Sequence, residues 1–390
     1  MKLIKTLIKG ALAIALLSGC ADSQDIFPTP ATALSESAVV LPNPLDIAVD
    51  TARGNIIVSN SNVDVFYDGG SLGLLSFDAT DVTAPTLAAV SIVATPNFSG
   101  QIYFDGSSNL YVPFRESSST NSSLDQVRRY SVSATDITFQ KEATVSQDPF
   151  GITGDGTNIF VVSDDVVTVF DTILGPSATI DLTEAEDANL ADSDSSRAER
   201  IAVDTANNRA FVSNRGGTPF VLDLNNNEVD QVISGPQSTR DIILNGNTLY
   251  ILDGLLEAVW VFDVSLLSTP SSSPEQVDDS SFLIDVIGVG NNPNALAMDA
   301  ANNRLYVSNS GDDSVSVIDT LSLQEINRIS LDEDDISTKY VRDGDYPFGM
   351  AVGTFNGTSF LFVACFESNT VIVINTNTQT VVEVFPNNNL

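Results

Sequence analysis

Short apolar runs, each closed by a small and usually polar residue, recur along this chain in a fixed order. The first run of each set ends at Asp50, Asp105, Asp155, Asp204, Asn245, Asp299 and Gly353, at intervals of 55, 50, 49, 41, 54 and 54 residues. A second run follows a short gap: Ile56–Asn60, Leu110–Val112, Ile159–Val162, Ala210–Asn214, Leu249–Ile251, Leu305–Asn309 and Leu361–Val363. The third ends at Asp78, Ser131, Asp171, Asp223, Asp263, Asp319 and Asn375, and a looser fourth, such as Ala178–Ile180 or Val381–Val384, completes the set. The runs are short and rich in Val, Ile, Phe and Tyr, which is strand composition at strand length. The gaps between first and second runs carry Asn207-Asn208, Asn302-Asn303, Asp105-Gly106, Asp155-Gly156 or Asn245-Gly246. These residues tolerate positive φ, as a tight hairpin requires. Each set therefore predicts a four-stranded antiparallel meander, with the Asp after the third run closing an Asx turn.

Such a unit cannot bury both faces alone, but copies packed in a ring can. Seven copies predict an all-β, seven-bladed β-propeller of four-stranded antiparallel blades. Helical repeats of this length would show a 3.6-residue period instead of β-branched runs, and a parallel β-helix would have much shorter coils. The WD type of propeller has a Gly-His signature, and the chain has no histidine.

The segment Leu296–Thr320, with Leu305-Tyr306-Val307-Ser308-Asn309 and Val315-Ser316-Val317-Ile318-Asp319-Thr320, resembles the YVTN family of β-propeller repeats. The resemblance runs from about residue 42 to 386. It is strongest in the fourth, sixth and seventh units and weakest in the second, where Val127–Ser131 lacks the closing Asp. What it implies is structural; the family pattern carries no catalytic residues.

The first residues read differently. Lys2, Lys5 and Lys9 precede an apolar stretch, Ala11–Leu17, too short to span a membrane. Leu17-Ser18-Gly19-Cys20 then resembles a bacterial lipobox, which implies cleavage before a lipidated Cys20. Several acyl chains on one residue hold a protein on a membrane where a single chain is marginal. Ala21 after the cysteine implies sorting to the outer membrane, facing the periplasm or the cell surface. The expected organisation is a signal peptide over 1–19, a lipidated tether over 20–36 and the propeller over 37–390. Ser37–Leu41 is expected to pair into the seventh sheet and pin the ring shut.

Without the leader the chain has 14 basic and 51 acidic residues, a net charge of −37, which repels nucleic acid. Cys365 is the one other cysteine, so no disulfide is expected and Cys365 reads as a buried small hydrophobe. Trp260 reads as core. Without histidine there is no Ser-His-Asp or Cys-His relay and no imidazole metal ligand.

Two acidic stretches join fourth to first runs. One carries Glu184, Glu186 and Asp187; the other carries Asp332, Asp334, Asp343 and Asp345. They introduce units three steps apart in a ring of seven, so they are expected to face each other across the channel mouth. The second set is a candidate Ca²⁺ site, because hard cations take several oxygen ligands. The long loops on the same face contribute Phe66, Tyr67 and Arg115 to a candidate binding face for a protein or glycan partner. The leading functional expectation is a lipid-anchored, non-enzymatic binding or scaffold protein. The alternative is a metal-dependent hydrolase resembling sugar-lactone lactonases, with its site in the channel; a surface-layer or adhesive component is a third reading.

Overall fold

The computed structural model describes residues 41–63, 69–115, 125–183, 185, 197–267, 274–332 and 344–386. They form seven sheets: blade 1 (Pro44–Thr95), blade 2 (Tyr103–Thr144), blade 3 (Gly151–Asp181), blade 4 (Ala198–Ile233), blade 5 (Thr239–Gly288), blade 6 (Pro293–Ser330) and blade 7 (Pro347–Phe385). Each pairs four strands antiparallel in chain order. The first strands pack neighbour to neighbour around the whole circuit, including blade 7 against blade 1, so they line a central channel. The fold is a seven-bladed β-propeller. The poorly patterned second unit has a first strand of only two residues, Tyr103–Phe104.

The burial explains the runs. Second and third strands are apolar on both faces, as in Asn55–Asn60 and Thr370–Asn375, because a blade lies against each face. Fourth strands such as Ile137–Thr144 are mostly exposed at the rim. The apolar core is divided accordingly into seven clusters, one at each seam between adjacent blades. At the closing seam Phe77 of blade 1 meets Phe355, Phe360 and Phe362 of blade 7 edge-on, with ring centroids 4.9, 5.1 and 4.9 Å away.

The expected turn chemistry is present. Asp78, Asp171, Asp223, Asp263 and Asp319 each accept the amide two residues on. Asn208, Asn303, Gly106, Gly156 and Gly246 hold positive φ. Cys365 is fully buried, and Trp260 stacks on Phe262.

The Ser-Asn pair ending several second strands has a defined task. The first strands of blades 1, 4, 5, 6 and 7 each begin with a register shift. Ser213 Oγ accepts the Arg200 amide, and Ser308 Oγ accepts the Ala295 amide while donating to Phe348 O of the next blade. Ser59 Oγ reaches Ser99 Oγ in the segment leading into blade 2. The serine thus satisfies a backbone group freed by the bulge and bonds one blade to the next.

Two findings differ from, or fall outside, the sequence reading. Blade 5 carries an insertion between its third and fourth strands, and Glu275–Val277 within it joins blade 4 as a fifth strand, parallel to Glu228–Ile233. Of the expected ring pin, residues 37–40 lie outside the described residues. Leu41 is buried in the seam between blades 1 and 7, while blade 7 has its own fourth strand, Thr380–Phe385.

Glycines mark where neighbouring first strands nearly touch. A Cβ on Gly349 would run into the carbonyl oxygen of Leu45 and the backbone of Asp46 across the closing seam. Gly349→Ala is expected to cost about 1–3 kcal/mol, as overpacking against unyielding backbone does. Urea unfolding checks this; an unchanged midpoint would show that the seam gives way.

Candidate functional site

We call the end at which the first strands begin the upper face. Seven equivalent positions there, one per blade, stand just ahead of the recurring apolar position of each first strand. They hold Asp46, Gln101, Gly151, Arg200, Asp241, Ala295 and Gly349. The acceptors among them bond the next blade. Asp46 Oδ2 accepts the Ile102 amide (2.9 Å), Gln101 Oε1 the Ile152 amide (3.5 Å) and Asp241 Oδ2 the Leu296 amide (2.7 Å). At Gly151 and Gly349 a Cβ would meet the backbone of the neighbouring first strand, whereas Arg200 carries a long charged side chain at the same position. Its Nε lies 3.7 Å from Asp241 Oδ1, and its charge also acts on Asp46.

This triad is almost wholly removed from water. Burial pushes Asp46 up from 3.8 to about 6, against the pull of Arg200 and the amides of Ile102 and Ile47. Burial raises Asp241 too, again opposed by Arg200. Between pH 3.8 and about 6 the folded chain keeps a proton on Asp46 that the unfolded chain releases, so this group's contribution to stability falls as pH rises through that window. The difference amounts to about 3 kcal/mol. Asp46→Asn should remove it: relative to the variant, the parent gains stability as pH is lowered from 6 to 4. Parallel difference curves in denaturant titrations at those pH values would contradict this assignment.

One residue further up, the ring of side chains splits into two arcs. Leu45, Gly100, Phe150 and Phe348 (blades 1, 2, 3 and 7) form an apolar arc; Glu199, Arg240 and Asn294 (blades 4, 5 and 6) form a polar one. Leu45, Tyr346, Phe348 and Phe366 make an eighth apolar cluster, joined by the partly buried Val63 and Phe150. On the polar side Glu199 Oε1 pairs with Arg215 Nη1 at 3.6 Å, and Arg240 Nη1 donates to Asn294 Oδ1 at 2.7 Å. Burial pulls the Arg240 guanidinium below its usual range, and Arg215 adds to this. Arg200 lies at the border, with Cζ 5.8 Å from the Phe150 ring centre. The mouth is therefore apolar on one side and rich in guanidinium on the other.

The candidates from sequence are distributed as follows. Arg115 is on the upper face, with Nε 3.4 Å from Asp148 Oδ1 and its guanidinium over Phe98. Beside it Asp164 is pushed up to about 7 by burial and by Asp148 and Asp165. Asp332 and Asp345 flank the second acidic stretch, whose ends are joined by the Gly344 amide on Leu331 O. Cys20, Phe66, Tyr67, Glu184, Glu186, Asp187, Asp334 and Asp343 lie outside the described residues. Among the described residues no three acidic or cysteine side chains gather closely enough to hold a metal ion.

A second concavity, about 490 Å³, lies on the opposite face between blades 4 and 5 and is lined by Asn207, Arg209, Asp223 and Asn247 among others. Its charged groups are already engaged: Arg209 bonds Asp204 and Val264 O, and Asp223 holds its own turn. The channel residues Asp46, Arg200, Asp241, Glu199 and Arg240 were not singled out from sequence. Their one signal was a charged residue placed immediately before an inward-facing apolar run.

No family model matches the sequence, and no curated protein sequence matches it. Among solved structures the chain is similar to the crystal structure of the WD40 β-propeller domain of Doa1, with a TM-score of 0.61 at 9% identity, covering 86% of this chain and 93% of that one. At that identity the likeness concerns the fold.

Proposed function

We propose that this chain is a non-enzymatic binding module of the YVTN-repeat type, held outside the inner membrane by lipid on Cys20, that engages a protein partner through its upper face. The propeller fold commonly serves binding and scaffolding, and that part rests on fold analogy. The observation that carries the reading is how the channel carboxylates are used. Asp46 and Asp241 are spent on amides of neighbouring blades and on Arg200, so they brace the ring and do not converge on a reacting centre. The surface around the mouth supports contact instead: the blade 5 hairpin beside Arg240 exposes Leu255 (63%) and Leu256 (49%).

Crosslinking in intact cells followed by capture of the full chain tests both halves of the reading. A partner retained by the parent and lost in Leu255→Asp/Leu256→Asp supports it. Hydrolysis of a lactone panel by the purified chain, abolished by Asp46→Asn, would favour a channel enzyme. Labelling with an alkynyl fatty acid should mark the parent and spare Cys20→Ala; label on both would detach the anchor from Cys20.

A further inference from the structure

Arg200 is only 4% exposed, and its Nε is buried without a hydrogen-bond partner. A guanidinium has five N–H donors, and leaving even one unmatched in a buried place is costly. The two acids beside it do not supply the match. Asp46 Oδ2 takes the Ile102 amide, while Asp241 takes the Leu296 and Ile242 amides and stays 3.7 Å from Arg200 Nε. The shortage extends upward, since Arg240 Nε is also buried without a partner. One buried acceptor, Glu199 Oε2, is unmatched in the same arc. Unmatched donors thus cluster on blades 4 and 5, facing Phe150, Leu45 and Phe348 on the other side of the mouth.

We propose that this mouth is a subsite for a carboxylate borne on an apolar group, with the carboxylate on the guanidinium arc and the apolar part against the Phe150–Phe348 arc. Carboxylates match guanidinium donors two at a time, and apolar walls with a few placed polar groups are the usual make-up of a ligand site. Phe150, Arg215 and Arg240 are the partly exposed members and mark the way in. The inference rests on the upper face being the binding face and adds what is bound there. Its chemistry fits either the carboxyl end of a partner chain with an apolar last residue or a free aryl or alkyl acid.

An anion placed on Arg200 competes with Asp46 and Asp241, the acids facing it from blades 1 and 5, and with Glu199 from its own strand. Asp46, already at about 6, then takes up a proton as the ligand binds. Affinity should accordingly rise by up to about tenfold from pH 7 to pH 5.

Calorimetry on the full chain provides the test, with two probes: phenylacetate, and a short peptide ending in Phe with a free or an amidated carboxyl end. The expected result is binding of at least one free carboxylate, roughly 10- to 100-fold weaker in Arg240→Gln, with proton uptake seen as a dependence of heat on buffer. Preference for the peptide identifies a partner's chain end; preference for phenylacetate identifies a small acid. Arg200→Met should abolish binding, and Arg240→Gln keeps the test valid if that variant does not fold. Equal binding of free and amidated peptide, or no binding of either acid, overturns the proposal. Cellular capture of a partner that survives Arg240→Gln would leave the binding-module reading standing without this subsite.

Discussion

Truncating Phe77 to alanine is expected to lower the free energy of unfolding by about 3–5 kcal/mol, the range for deleting a buried phenylalanine side chain. The position is unusually exacting. Phe77 is 6% exposed and is met edge-on by three phenylalanines of blade 7, more than 270 residues away in sequence. Such aromatic pairs add about 0.5–1.5 kcal/mol each beyond their area. The lost ring also faces backbone pinned in two sheets, so the seam has little freedom to collapse into the gap. Guanidinium denaturation followed by tryptophan fluorescence reports it, since Trp260 sits in blade 5 on the far side of the ring. A loss below about 1 kcal/mol would mean that the seam repacks and closure does not depend on this cluster.

Replacing Arg200 by methionine should cost about 3–5 kcal/mol at pH 7, because two buried carboxylates are left without their cation. The loss should shrink toward pH 5. Asp46 and Asp241 are both raised by burial and rise further without Arg200, so protons replace the missing charge as the pH falls. The triple variant Arg200→Met/Asp46→Asn/Asp241→Asn should recover most of the loss at pH 7, since removing a whole buried charge group is often tolerated. An equal deficit at both pH values would show that the guanidinium acts by packing alone.

The architecture was legible because the ring imposes the same burial on every blade. Second strands such as Leu305–Asn309 are covered on both faces and therefore read as continuous apolar runs, and Asp319 or Asn303 recur because every hairpin needs the same turn. Glu275–Val277 escaped notice for the opposite reason. It is three residues long, occurs once, and pairs with a blade that precedes it in the chain. The channel was hidden by the repeat itself. Aligning units on their apolar positions makes the residue before Ile47, Ile201 or Ile242 look like unpatterned variation. Asp46 and Arg200 become neighbours only once the circle closes. The acidic stretches drew attention through local density of charge, whereas the guanidinium arc of Glu199, Arg215 and Arg240 is spread over two blades.

Apart from Glu275–Val277, the described strands of each blade follow one another in the chain, and the seam between blades 7 and 1 is joined side by side without an exchanged strand among the described residues. The backbone could therefore be cut at another junction and rejoined at the existing one while leaving all seven sheets intact. A circularly permuted chain opened between blades 4 and 5 should fare best, because Glu275–Val277 still clips the separated neighbours together.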